Sequence, residues 1–128
     1  MRILLDTHVL LWMDAEPDKL SPAVKAAIMN PDNEIIVSAV SVWEIIIKQA
    51  IGKLTTRQPL RVVIEEQRRD NGIQVLPVSL KHVWVVESLP AGHKDPFDRL
   101  LIAQAIADDL TIATADAAFA TYPVQILW

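Results

Sequence analysis

Short, mostly apolar runs alternate along this chain with longer stretches in which apolar positions recur at helical spacing. Ile3-Leu4-Leu5, Ile35-Ile36-Val37, Ile73 through Val78, Leu110 to Ala113 and Val124 to Leu127 are of strand length and rich in β-branched residues. They do not alternate with polar positions, as a half-buried strand would, so they read as strands covered on both faces, the habit of a parallel sheet. Between them lie helices with readable ends. Ser21-Pro22 is an N-cap followed by proline at the first helical position, and Gly72 closes a helix running from about Pro59 to Asn71. A further helix is expected from Leu80 to Ser88, ending before the loop signal Pro90-Ala91-Gly92, and Asp95-Pro96 opens the helix that runs into the fourth strand. This order predicts an α/β chain: one parallel sheet with right-handed crossovers and helices on both faces, forming a single domain over residues 1–128. Periodicity says which faces are buried and leaves the order of the strands open.

In such a sheet the carboxyl end of each strand and the start of the following helix share one edge, where ligands bind. The chain places five acids there. Asp6 ends the first strand, Glu44 lies in the opening turn after the second, Asp95 and Asp98 begin the helix before the fourth, and Asp116 follows the fourth. Each has an ordinary structural explanation. Ser41 to Glu44 fits a capping box, Asp95-Pro96 is a helix cap, Asp98 complements the dipole of the same helix, and Asp116 is placed to cap a short helix from Ala117 to Ala120. Asp6 is harder to explain this way, because an acid ending an apolar central strand needs a partner, a metal or water. Together these carboxylates would repel one another, and a divalent cation is the common physical remedy. With no cysteine and no paired histidines, the donor set selects a hard ion, Mg2+ or Mn2+. Such a site suits metal-assisted hydrolysis of a phosphodiester.

Composition narrows this further. At 52% hydrophobic residues the chain has enough apolar side chain for a core, which excludes a disordered chain. Twelve Lys and Arg against sixteen Asp and Glu give a net charge of -4, which excludes nucleic-acid binding through bulk positive charge but leaves a local patch or metal ions. The absence of cysteine removes disulfides, thiol catalysis and thiolate zinc sites. Asp6 interrupts the apolar start too early for a secretory segment, and no apolar run approaches membrane-spanning length, so a soluble, cytoplasmic protein without membrane attachment is expected.

The ordered set Leu4-Leu5-Asp6-Thr7-His8, Ser41-Val42-Trp43-Glu44-Ile45, the stretch from Asp95-Pro96-Phe97-Asp98-Arg99 to Ala105, and Thr114-Ala115-Asp116-Ala117-Ala118-Phe119 resembles the PIN-domain family. More closely, it is similar to the ribonuclease toxins of VapBC toxin–antitoxin systems, over essentially the whole chain. The resemblance implies a three-layer α/β/α PIN-like fold with a central five-stranded parallel sheet. It also implies a Mg2+- or Mn2+-dependent endoribonuclease acting on RNA, homodimerisation, neutralisation by a cognate antitoxin, and a larger toxin–antitoxin assembly. Carried over residue by residue, the family's acidic quartet falls on Asp6, Glu44, Asp98 and Asp116. Asp6 and Asp98 would be the principal metal ligands, and Glu44 and Asp116 would support them and orient the attacking water. Asp95 is the doubtful member, a candidate for a supporting or substrate-contacting role only, because the family's pattern places its acid at Asp98 and the helix cap by itself explains Asp95. Thr7 and Thr114 are candidates to bond a carboxylate or a substrate phosphate. Many relatives carry arginine where this chain has Ala115.

Other residues carry weaker signals. His8 and His93 lie near the acids, within reach of a substrate phosphate, but read better as polar surface histidines. Arg99 suits either a contact with RNA or the antitoxin, or a salt bridge along its helix. Lys48, Lys53, Arg57, Arg61, Arg68 and Arg69 form the best basic patch for RNA, although Glu65, Glu66 and Asp70 in the same stretch favour a solvated helix face. Trp12, Trp43, Trp84 and Trp128 read as core or dimer-interface residues rather than base-stacking platforms. A dehalogenase-like phosphatase would need an aspartate where His8 stands. A response-regulator receiver would need an aspartate after the third strand and a lysine after the fifth. A catalytically inactive PIN-like protein-interaction module is the remaining alternative.

Overall fold

The computed structural model describes residues 1–92 and 95–128. Five strands, β1 (Arg2–Leu5), β2 (Glu34–Ser38), β3 (Gln74–Leu76), β4 (Thr111–Ala113) and β5 (Gln125–Leu127), form one sheet in the order β3-β2-β1-β4-β5. All four pairings are parallel. Among the described residues the α-helices are α1 (Thr7–Ala15), α2 (Pro22–Met29), α3 (Ala39–Ala50), α4 (Leu60–Asn71), α5 (Leu80–Ser88) and α6 (Pro96–Asp108). Among the described residues no helix is long and apolar enough to cross a membrane.

Alternation along the central strands builds two cores, one on each face. Ile3, Leu5, Ile35 and Val37 pack with Val9, Leu10, Val24 and Ile45 on one side, while Leu4, Ile36 and Ile112 pack with Leu101, Ile102 and Phe119 on the other. Successive strand side chains point to opposite faces, so a strand that is apolar at every position must be covered twice. Three layers result. Each fully buried leucine or isoleucine contributes roughly 1.5–3 kcal/mol, and β1 supplies three such residues in Ile3, Leu4 and Leu5.

The expected elements are present, with shifted ends. β3 covers only Gln74–Leu76 of the run to Val78, because Pro77 has no N–H to continue the ladder. Gly72 takes the left-handed conformation (φ 64°) that closes α4. Ser21 caps α2 through a bond from Val24 N–H, with Pro22 at the first helical position.

The strand order positions the site. From β1 the chain proceeds outward to β2 and β3, then returns to place β4 against the other side of β1 and β5 beyond it. The direction of winding therefore reverses at β1 and β4, and the crevice beyond their carboxyl ends is where open parallel sheets bind ligands. Asp6 follows β1 and Thr114 follows β4, so the two meet at this reversal.

Candidate active site

Asp6 is the N-cap of α1 and is only 4% exposed. Its Oδ1 accepts the Thr7 N–H at 2.7 Å, and its Oδ2 accepts the Thr114 hydroxyl at 2.7 Å. His8 Nδ1 lies 3.1 Å from the same Oδ2. A carboxylate offers about four lone-pair sites, so the two hydrogen bonds from Thr7 and Thr114 fix its orientation and, among the described residues, leave Oδ1 a site for a further partner.

Glu44 is equally buried. Here the local structure departs from the capping box expected of Ser41 to Glu44. Helix α3 begins at Ala39, capped by Ser38 through the Val40 N–H at 3.0 Å, so Ser41 and Glu44 lie inside the helix. Glu44 instead accepts the Thr7 hydroxyl on Oε1 at 2.7 Å and pairs with Lys48 through Oε2 at 2.6 Å. Thr7 Oγ1 is also 3.0 Å from Ser41 Oγ. Its backbone and side chain thus tie Asp6 on β1 to Glu44 on α3.

The remaining acids arrive from α6 and the loop after β4. Asp95 caps α6, its Oδ1 accepting from Phe97 N–H at 2.9 Å and Asp98 N–H at 3.4 Å. Asp98 stands at the third helical position. Asp116 caps the 3-10 turn Ala117–Thr121 through Ala118 N–H, and its own N–H donates to Thr114 Oγ1 at 3.0 Å. All five carboxylates, with Thr7, His8 and Lys48, line one cleft of about 270 Å³. A larger groove of about 560 Å³ between α3 and α4 is lined mainly by Val42, Ile46, Leu60 and Ile64. The chemistry belongs to the smaller space, because carboxylates, a lysine and a threonine converge there while the groove is mainly apolar.

The cleft is strongly electronegative. The hydrogen bond that Lys48 donates to Glu44 raises its ammonium pKa above the ordinary value, against the opposing effect of burial, and the fields of Glu44, Asp95 and Asp98 add to the rise. Among the described residues lining the cleft, one lysine stands with five carboxylates. The donor set fits a hard divalent cation, being oxygen-rich and thiol-free, with an open position on Asp6. Among the described residues no three acids or histidines already converge on one point. A cation here would take one or two carboxylates and complete its shell with water, the usual manner for Mg2+.

Other predicted residues are placed differently. None of the four tryptophans is in the core: Trp12 is half-buried, and Trp43, Trp84 and Trp128 are 55%, 60% and 40% exposed. The apolar sequence around them marks partly covered helix faces and an edge strand rather than interior. Of the six basic residues between β2 and β3, Lys48 joins the cleft, Arg57 pairs with Asp14, Arg68 with Glu65 and Arg69 with Asp70. That pairing matches a solvated face more than a patch for RNA. Arg99 donates to the Pro90 carbonyl at 3.0 Å and reaches the Tyr122 hydroxyl at 3.4 Å, tying two loops together. His93 lies outside the described residues.

Two cleft residues escaped sequence reasoning as site members. Lys48 carried a usable signal, since it stands four positions after Glu44, the favourable orientation for a helical ion pair. His8, expected at the surface, is partly covered: its Nδ1 lies 3.1 Å from Asp6 Oδ2 and its Nε2 accepts the Ala115 N–H at 3.2 Å.

Comparison with known proteins bears on this geometry. The family model described as PIN domain matches residues 3–124. Ribonuclease VapC22 of Mycobacterium tuberculosis is 36% identical over 121 residues, covering 89% of this chain and 86% of that protein. Among solved structures, VapBC2 from Rickettsia felis bound to a DNA fragment from their promoter superposes with a TM-score of 0.74 at 14% identity, over 98% of this chain and 97% of that one. VapBC-1 from nontypeable Haemophilus influenzae gives 0.65 at 18% identity, over 98% and 96%. At these identities the structural likeness speaks for the fold, which is the three-layer α/β/α arrangement with a five-stranded parallel sheet.

Proposed function

Because this chain belongs to the PIN-domain family, we propose that it is a metal-dependent endoribonuclease, the toxin of a toxin–antitoxin pair, which hydrolyses RNA phosphodiester bonds in the cytoplasm. The observation that carries this reading is the convergence of five carboxylates from separate chain segments on one cleft at the carboxyl edge of the sheet. The ribonuclease relative and the VapBC complexes among the structural neighbours support the substrate and an antitoxin partner. The three exposed tryptophans and the apolar groove between α3 and α4 supply surface for a homodimer and for that antitoxin.

Asp6 and Asp98 would hold Mg2+ or Mn2+, with Glu44 and Asp116 in support. When bound, such an ion supplies a water of lowered pKa and positive charge for the phosphate and the leaving oxygen. The residues of the chain do the positioning. Thr114 and Thr7 fix Asp6 by hydrogen bonds to its two carboxylate oxygens, and Thr7 fixes Glu44. Glu44 and Asp116 would orient the attacking water and accept its proton. Lys48 offsets part of the negative field that an RNA backbone must enter.

The test is direct. Purified protein with a generic RNA and Mn2+ should yield discrete fragments, and EDTA should stop the reaction. Asp6→Ala and Asp98→Ala should each reduce cleavage to background and lower Mn2+ affinity, while the protein still unfolds cooperatively. Undiminished cleavage by both variants would remove the assignment, and a wild-type protein that cuts no RNA would leave an interaction module in its place.

A further inference from the structure

Trp128 follows β5 at the carboxyl edge of the sheet, the edge that carries the acids. Leu5 pairs with Ala113 and Ala113 with Leu127, so Asp6, Thr114 and Trp128 leave three adjacent strands side by side. The Leu127 carbonyl accepts the Thr114 N–H at 3.2 Å, and Thr114 in turn donates to Asp6 Oδ2 at 2.7 Å. Neighbouring strands lie about 4.8 Å apart, which puts the main chain at Trp128 roughly two strand spacings from that at Asp6.

A row of rings continues the cleft wall in this direction. His8 lines the cleft, and one turn further along α1 Trp12 meets its imidazole with ring centroids 4.7 Å apart and planes tilted by 57°. Trp12 then meets Trp128 at 5.8 Å and 55°. Because Trp12 is itself packed against the core that holds Leu5 and Val9, it backs the Trp128 side chain, which stays exposed. The Lys19 ammonium lies 5.7 Å from the Trp12 ring centroid and pairs with Glu16 at 2.8 Å, adding a cation beside the rings.

An exposed indole held from behind suits a ligand with a flat face. Every nucleobase has one, and bases stack on aromatic side chains whatever their sequence. This matters for a chain of net charge -4 whose cleft gathers carboxylates. Arg57, Arg68 and Arg69 are already engaged in ion pairs, so affinity for a polyanion needs a source other than positive charge alone. Stacking is such a source. It selects unpaired bases, because a base inside a duplex turns its faces to its neighbours.

We propose that Trp128, backed by Trp12, is the stacking platform for an unpaired nucleobase of RNA whose backbone enters the acidic cleft. The role of the cleft rests on the ribonuclease reading, whereas the contact between ring and base does not. A protein partner seated on Trp128 would compete with RNA for that ring.

The experiment measures binding without cleavage, then cleavage. In EDTA, a short single-stranded RNA should quench the tryptophan emission of the wild type, while the same sequence as a duplex, and inorganic polyphosphate, should not. Trp128→Leu keeps an apolar side chain without a π-face. It should lose the quench and bind the RNA about tenfold more weakly, whereas Trp128→Phe should stay within about threefold of the wild type. With Mn2+, Trp128→Leu should raise KM about tenfold at unchanged kcat, with a urea midpoint like that of the wild type. Wild-type affinity and KM in Trp128→Leu would overturn the proposal and leave the ring to a protein contact, as would equal quenching by polyphosphate and by RNA. Should Trp128→Leu fail to fold, the wild type's choice among single strand, duplex and polyphosphate still decides. A wild type that binds RNA with quenching but cuts none would remove the ribonuclease reading and keep the platform. One that cuts RNA while Trp128→Leu keeps its KM would remove the platform alone.

Discussion

At its first turn α6 presents Asp98 to a cleft where four other carboxylates face one lysine. At its last residue the same helix presents Asp108 to Lys81 Nζ at 2.6 Å and His82 Nε2 at 2.9 Å. Helix polarity alone would favour Asp98, at the positive amino end, and penalise Asp108, at the negative carboxyl end. The chain compensates the penalised acid locally. His82 is 2% exposed and accepts the Ser79 N–H on Nδ1, leaving Nε2–H to donate to Asp108. At that end the Asp108 carboxylate meets both Lys81 and His82, whereas among the described residues the cleft at the other end gathers five carboxylates around Lys48. The contrast separates a polar network that closes on itself from one left open to a ligand.

Exchanging the two acids for uncharged residues should break the comparison into its parts. Asp98→Asn should abolish RNA cleavage, and it should also remove the rise in unfolding midpoint that Mn2+ gives the wild type; binding at a hundred times Kd is worth about 2.7 kcal/mol. Asp108→Ala should leave cleavage unchanged and destabilise by about 1–3 kcal/mol, because it strands the buried His82 N–H. Urea denaturation with and without Mn2+, alongside an RNA cleavage assay, reads all four effects. A stable Asp108→Ala protein would mean that the closed network contributes nothing.

Acid sharpens the same contrast. Burial pushes the Asp108 carboxyl up, but the hydrogen bonds from Lys81 and His82 more than offset it and hold the group below its ordinary 3.8. A carboxyl depressed in the folded state stabilises fully above its unfolded pKa and loses that contribution as pH falls through the folded value. The wild type should therefore exceed Asp108→Asn in stability by a constant margin above about pH 5, and the margin should shrink below 3.8. Urea midpoints of both proteins between pH 3 and 6 test this. A margin independent of pH would show that the Asp108 charge is not what the cations hold.

Much of the frame was legible in sequence, because burial on two faces leaves apolar strands and caps leave polar residues at helix ends. Helix α5 spans Leu80–Ser88 as expected, and Asp95-Pro96 marks the start of α6. What escaped depends on pairings between distant segments. His8 meets an N–H 107 residues away, and Thr114 meets Asp6 across 108. Both contacts follow from β4 lying against β1, and strand order is not written in periodicity. The capping box at Ser41 failed for a local reason: Ser38 had already capped α3 one turn earlier, which freed Glu44 to turn toward Thr7.

Asp95 tests how far the open network extends. It lines the cleft and adds to the field on Lys48, yet its Oδ1 already serves as the cap of α6. If the cap is its whole role, the charge is dispensable and the shape is not. Asparagine caps a helix about as well as aspartate, whereas alanine costs typically about 1 kcal/mol. Asp95→Asn should keep wild-type stability within a few tenths of a kcal/mol and retain most RNA cleavage. Asp95→Ala should lower the unfolding midpoint while cutting RNA at a rate close to that of the asparagine variant. Cleavage lost in Asp95→Asn to the level of Asp98→Asn would place Asp95 among the groups that work on the substrate, and the boundary between cap and cleft would then have to be drawn one helical turn earlier.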